Sequence, residues 1–136
     1  MSQALTHQEA LIHVMVMMSA VDRAMSDEEM ERIGKLSRIL PVFDDFDPES
    51  LLPVARSSAT LLSAPEGLDI LLELVREALP PRLYETAYAL AVDIAAVDRN
   101  VRTEELRLLA LLRDRLGLDK LVCAAIERGA QARMRR

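Results

Sequence analysis

Tryptophan is absent from this 136-residue chain, aromatic residues make up 3% of it, and glycine occurs only four times. Scarce glycine leaves no room for a Gly-rich phosphate loop, and neither a nucleophile elbow nor a zinc-ligand spacing is found. With a single cysteine, Cys123, no internal disulfide can form, and a reducing, cytoplasmic setting is expected. Histidine is equally sparse: His7 and His13 stand alone, without the Glu-x-x-His element that a carboxylate di-iron bundle needs. The longest apolar stretch, between His13 and Asp22, is far short of the roughly 20 residues that span a bilayer, so no membrane insertion is expected. The first residues lack the basic start and small-residue cleavage pattern of a secretory leader.

What the chain does hold is helix-forming. Apolar residues reach 51% and charged ones 29%, too hydrophobic for disorder. Leu, Ala, Val, Ile and seven Met must build the core, and β-branched runs are few. The length suits one domain with one core. The fold class read from this is all-α, a single bundle of about seven helices.

Capping residues stand where the apolar periodicity begins and ends. Thr6 with Glu9 predicts the start of a first helix that runs to about Ala24. Ser26 with Glu29 opens a second, stopped by Pro41, and an acidic loop follows over 42–46. Asp47 and Pro48 read as cap and first residue of a third helix, with Pro53 marking a kink or a later start. Ser63 with Glu66 forms another capping-box pattern and opens a fourth that ends at Leu79. A fifth is expected from about Arg82 to Val97 and a sixth from about Thr103 to Leu116, closed by Gly117 as a left-handed cap. The seventh begins near Asp119.

An offset of 76 residues lays the chain on itself. Ala20-Val21-Asp22-Arg23 then matches Ala96-Val97-Asp98-Arg99 identically, Glu28 and Glu29 fall on Glu104 and Glu105, and Ile33 and Leu36 fall on Leu109 and Leu112. The pattern reads as an internal duplication in which helices 1–2 and 5–6 are equivalent. Helices 1 and 5 are apolar on most faces, which places them at the centre of the core.

Each repeat joins its helices by a turn that opens with Asp and leads into paired Glu. A carboxylate at a helix C-terminus opposes the macrodipole and needs a compensator. One candidate is a latch, the Asp accepting hydrogen bonds from the free amides that begin the next helix, and this is the favoured reading. The other is a hard divalent cation, Ca²⁺ or Mg²⁺, held by Asp22, Glu28 and Glu29 in the first copy and by Asp98, Glu104 and Glu105 in the second. The spacing is not that of a calcium-binding EF-hand loop, since Ala24 stands where a third-position acid belongs. In the second copy Arg102 replaces the capping Ser26, unless Thr103 takes the cap one residue later.

Other polar residues read as structural. Glu9 and His13, one turn apart, suggest a surface pair. Cys123 on the apolar stripe of helix 7 suggests a buried thiol, and Asp93 suggests a solvent edge. The basic end, with nine bases against five acids over 101–136, contrasts with ten acids against four bases over 1–50. Without basic–aromatic interleaving, no nucleic-acid partner is expected, and the terminal arginines suit a solvated helix end.

An apolar helix ending Ala-Val-Asp-Arg, a short turn, Glu-Glu and a second amphipathic helix resemble the signature of the TerB-like superfamily. That group includes the tellurite-resistance protein TerB and the N-terminal domain of the DnaJ-like co-chaperone DjlA. The resemblance covers most of the chain, with one departure: the family turn has Gly after the Asp, where this chain has Arg23 and Arg99. It implies a non-enzymatic helical domain tied to tellurite and other chemical-stress resistance, working through cation binding or protein contacts at an acidic face. The implied acids are Asp22, Glu28, Glu29, Asp98, Glu104 and Glu105. A structural scaffold or self-associating domain is the alternative.

Overall fold

The computed structural model describes residues 5–20, 25–97 and 103–135. Among these the chain forms seven α-helices and no strand. They are α1 (His7–Ala20), α2 (Asp27–Ile39), α3 (Leu51–Ser63), α4 (Gly67–Ala78), α5 (Tyr84–Val97), α6 (Thr103–Leu116) and α7 (Lys120–Met134). The all-α bundle read from composition is what folds. The expected end of the first helix at Ala24, and both aspartate-led turns, lie outside the described residues.

The two helices without a polar face pack against each other at the centre. Every residue of α1 from Ala10 to Ser19 is buried, as are Ala87, Tyr88, Leu90, Ala91, Val92, Ile94 and Ala95 of α5. Around them, α3 and α4 cover α1, α7 and α6 cover α5, α2 lies against both, and one continuous core results. α6 and α7 both lie on α5 yet hardly approach each other, and the same holds of α2 and α3 on α1.

The 76-residue offset joins positions of like environment. Val14 and Leu90, Met15 and Ala91, Met18 and Ile94, Ile33 and Leu109, and Leu36 and Leu112 are all buried pairs at this spacing.

Local chemistry sets most boundaries as read. The Thr6 box forms in both directions, Glu9 N–H donating to Thr6 Oγ1 at 3.0 Å and Thr6 N–H to Glu9 Oε1 at 2.9 Å. Ser26 and Glu29 make the same reciprocal pair at 3.1 and 2.9 Å. Gly117 sits at φ +63°, and Leu118 N–H reaches Arg113 O at 3.0 Å while Gly117 N–H reaches Asp114 O at 3.1 Å, a Schellman closure of α6. Asp119 accepts from Leu121 and Val122 N–H to start α7.

Three boundaries differ. Asp47 caps a 3₁₀ turn, Pro48–Ser50, and the α-helix starts only at Leu51. Pro53 then falls in the first turn, where its missing N–H has no helical partner to lose. α5 is likewise preceded by a 3₁₀ turn, Pro81–Leu83, after the prolines. The Ser63–Glu66 capping box does not form. Ser63 remains the last residue of α3 with its hydroxyl donating to Thr60 O, Glu66 turns left-handed at φ 58°, and α4 begins at Gly67. The cause is a close approach: a Cβ on residue 67 would stand 1.9 Å from Leu61 O, so the chain must fold back tightly there.

That approach makes Gly67 the least replaceable glycine. Gly67→Ala should lower the unfolding free energy by about 2 kcal/mol or more. Gly129→Ala, whose Cβ would meet only the movable Arg133 Nη1 at 3.4 Å, should instead raise it by about 0.5–1 kcal/mol. Urea unfolding midpoints of the two variants check the opposite signs.

Candidate functional site

Of the six acids picked out in the sequence, four are described. Adjacent residues on a helix point about 100° apart, so each Glu pair divides. Glu29 and Glu105 are buried, at 2% and 3% exposure, whereas Glu28 and Glu104 face solvent. Glu29 turns back on its own helix start through the Ser26 amide. Asp22 and Asp98 lie outside the described residues. Arg102, which stands where Ser26 does in the first copy, lies outside them too, so the question of whether Thr103 takes the cap falls outside the described residues. Among the described residues no three His, Cys, Asp or Glu side chains gather as a metal cluster would.

The first half exposes seven carboxylates between residues 27 and 49. Asp27, Glu28 and Glu31 on α2 and Asp44, Asp45, Asp47 and Glu49 in the following segment are all exposed, with Arg32, Lys35 and Arg38 the cations of that stretch. A 3₁₀ turn, Pro41–Phe43, begins the segment, and Gln8 of α1 pins it by donating to the carbonyls of Val42 and Asp44 at 3.2 and 2.9 Å.

His13 is not the surface partner of Glu9 that its spacing suggested. It is 1% exposed on the central helix, and its Nδ1 is bonded to Ser58 Oγ of α3. Ser58 spends its own proton on Val54 O at 3.2 Å, so the imidazole Nδ1–H is the donor to Ser58. Glu9 is occupied by the Thr6 amide. Burial holds the His13 pKa below its ordinary value, and the nearby Glu9 charge offsets this only partly.

A second polar group on a central helix was not singled out in the sequence. Tyr88 of α5 is buried, its hydroxyl donates to Glu127 Oε2 of α7, and Arg113 Nη1 of α6 donates to the same hydroxyl at 2.8 Å. Arg113 also pairs with Glu127 at 3.3 Å and lies 5.9 Å from the Tyr88 ring centroid. The available signal was a hydroxyl inside the apolar run Ala87-Tyr88-Ala89, since a buried Tyr needs a partner. Burial first, then the bond to Glu127, pushes the phenol pKa up to about 12. Burial also raises the thiol of Cys123, which is 2% exposed beside this group. Neither shift produces a nucleophile, because both favour the protonated form at neutral pH. The trio joins three helices, α5, α6 and α7. Asp93 lies at the edge as expected, paired with Arg133 at 2.8 Å.

No helix among the described residues is long and apolar enough to cross a membrane. Compared with known protein families, curated proteins and solved structures, the chain gives no match.

The buried imidazole carries a pH signature. The unfolded chain takes up a proton near the ordinary histidine value of about 6.5, while the folded state resists protonation. His13 therefore adds no slope above that value, and stability falls as pH drops from there toward the lowered folded pKa. Chemical unfolding at pH 7.5 and 5.5 should show a larger loss for the native chain than for His13→Gln, which cannot titrate. Equal losses would remove the assignment.

Proposed function

We propose that this chain is a non-enzymatic interaction domain of the TerB-like kind, serving tolerance of tellurite or related chemical stress. Its acidic first half is the working surface, meeting a cationic partner or a divalent ion. The observation that carries this reading is the set of exposed carboxylates Asp27, Glu28, Glu31, Asp44, Asp45, Asp47 and Glu49, which follow Asp22 in the sequence. A surface potential of one sign attracts opposite charge and raises encounter rates with it. The twin Asp-to-Glu turns support kinship with the family. Their outward glutamates, Glu28 and Glu104, remain free of burial and could join Asp22 or Asp98 around Ca²⁺ or Mg²⁺.

A specific observation favours a second reading for the inward glutamates. The reciprocal bonds between Ser26 and Glu29 give one of them a capping role at the start of α2, which supports a structural use of these acids, with Asp22 and Asp98 as the latches that accept from the amides beginning the next helix. In that reading the domain is a scaffold or self-associating unit, and the acids hold its turns.

Calorimetric titration with Ca²⁺, Mg²⁺ and Zn²⁺ separates the two. Cation binding predicts heat that is lost in Asp22→Ala or Asp98→Ala, and silence with all three ions retires the cation part. The latch predicts no metal heat but a loss of about 1 kcal/mol of stability in each variant. Sedimentation over a concentration series reports self-association, which a strict monomer rules out.

A further inference from the structure

Charge is segregated by element in this chain, and two of its exposed surfaces are complementary. Between Arg38 and Arg56 the sequence holds no cation, and the connection over 40–50 that joins α2 to α3 carries Asp44, Asp45, Asp47 and Glu49, all exposed. None of these four enters an ion pair among the described residues. The connection is firmly seated: Phe43 is buried in the core, Phe46 lies edge-to-face against it at 5.8 Å, and Gln8 of α1 holds two of its carbonyls. Its carboxylates therefore stand on a preorganised backbone, which lowers the ordering cost of binding. Two large apolar side chains bracket them, Ile39 and Leu52, exposed at 60% and 49%.

α7 presents the opposite character. Cys123, Ile126 and Ala130 pack toward the bundle, which leaves Leu121, Ala125, Arg128, Ala132 and Arg135 on the outward face at helical spacing. Over residues 120–135 the single acid is Glu127, and its carboxylate is held by Tyr88 and Arg113. The Asp119 carboxylate just before them caps the helix. Arg133 is met by Asp93, but Lys120, Arg128 and Arg135 are exposed and enter no ion pair among the described residues. Among them stands Leu121, at 79% the most exposed large apolar side chain of the described residues.

The connection lies on α2 and α3, whereas α7 lies on α5. One chain thus carries an acidic surface and a basic one, each with an apolar centre, and no ion pair among the described residues joins them.

We propose that the outward face of α7 docks on the acidic connection of a second copy of this chain, its free cations against the carboxylates and Leu121 against the apolar pair that brackets them. The proposal rests on the reading of the acidic first half as a surface for a cationic partner, and it names that partner. Because the two surfaces differ, the contact is heterologous, and each bound pair keeps one surface of each kind for a further copy. Exposed charges give such a contact specificity and salt sensitivity more than strength.

Sedimentation of the full chain over about 10–500 µM should show a mass that rises with concentration and falls back when salt is raised from about 50 to 500 mM. Arg128→Glu and Leu121→Glu on α7, and Asp44→Lys on the connection, should each weaken association about tenfold or more. All three side chains are exposed, and circular dichroism checks that the variants fold. Mixing two of them supplies the sharpest arm. Arg128→Glu keeps its acidic surface and Asp44→Lys keeps its basic one, so together they should form a 1:1 complex that neither forms alone and that grows no further. A monomer up to about 1 mM, association indifferent to the charge variants, or a mixture that stays monomeric overturns the proposal. So does a dimer that Leu106→Glu dissolves and Leu121→Glu does not. Calorimetric titration with oligolysine separates this outcome from the wider reading: a monomeric chain that binds oligolysine, and loses it in Asp44→Lys, keeps its acidic surface and loses only the second copy as partner. A monomer silent toward oligolysine loses both.

Discussion

A helix that is apolar around its whole circumference has no face it can give to water, and this chain has two of them. Packing α1 on α5 covers one side of each and leaves the rest to be covered by others. The remaining helices are therefore coverings, each with one apolar stripe and one charged face. Their placement follows from what the central pair still exposes. Aromatic side chains are too few to fill large gaps, so the centre relies on Met and Leu, which adapt to irregular spaces between helices.

Central helices built in this way carry a cost wherever a polar residue interrupts them. His13, Ser19 and Tyr88 are all buried there, and each finds a partner. Ser19 bonds back to Met15 O within its own helix. The other two reach across to a covering helix, His13 to Ser58 on α3 and Tyr88 to Glu127 on α7. α3 and α7 are also the coverings that lie most closely along their central helices. Apolar packing alone tolerates sliding by a turn, whereas an unmet buried donor costs about 1–3 kcal/mol. The polar pins thus fix the register that hydrophobic contact leaves loose, and Asp93 with Arg133 adds a weaker, exposed pin to α7.

The parts of this arrangement that were legible in the sequence are those decided within a few residues. The Thr6 and Ser26 boxes, the Gly117 closure and the Asp119 cap each need only neighbours three to five positions away. Apolar runs on all sides likewise announced which helices would be central. The Ser63–Glu66 pattern was equally clear and still did not form, because a backbone approach between residue 67 and Leu61 outweighed one capping bond. His13 was misread for a related reason. Its spacing from Glu9 is visible in the sequence, but Ser58, 45 residues away, is a partner that only the fold supplies. The Tyr88 trio joins residues 25 and 39 positions away and was missed altogether.

The two glutamates that stand side by side near the start of α2 and of α6 meet different surroundings. Adjacent helical residues point about 100° apart, and on these covering helices Glu29 and Glu105 are buried while Glu28 and Glu104 face solvent. The pair is thus two devices rather than one site. The inner member acts on the protein itself, as Glu29 does on the Ser26 amide, while the outer member is the one available to anything that arrives from solution.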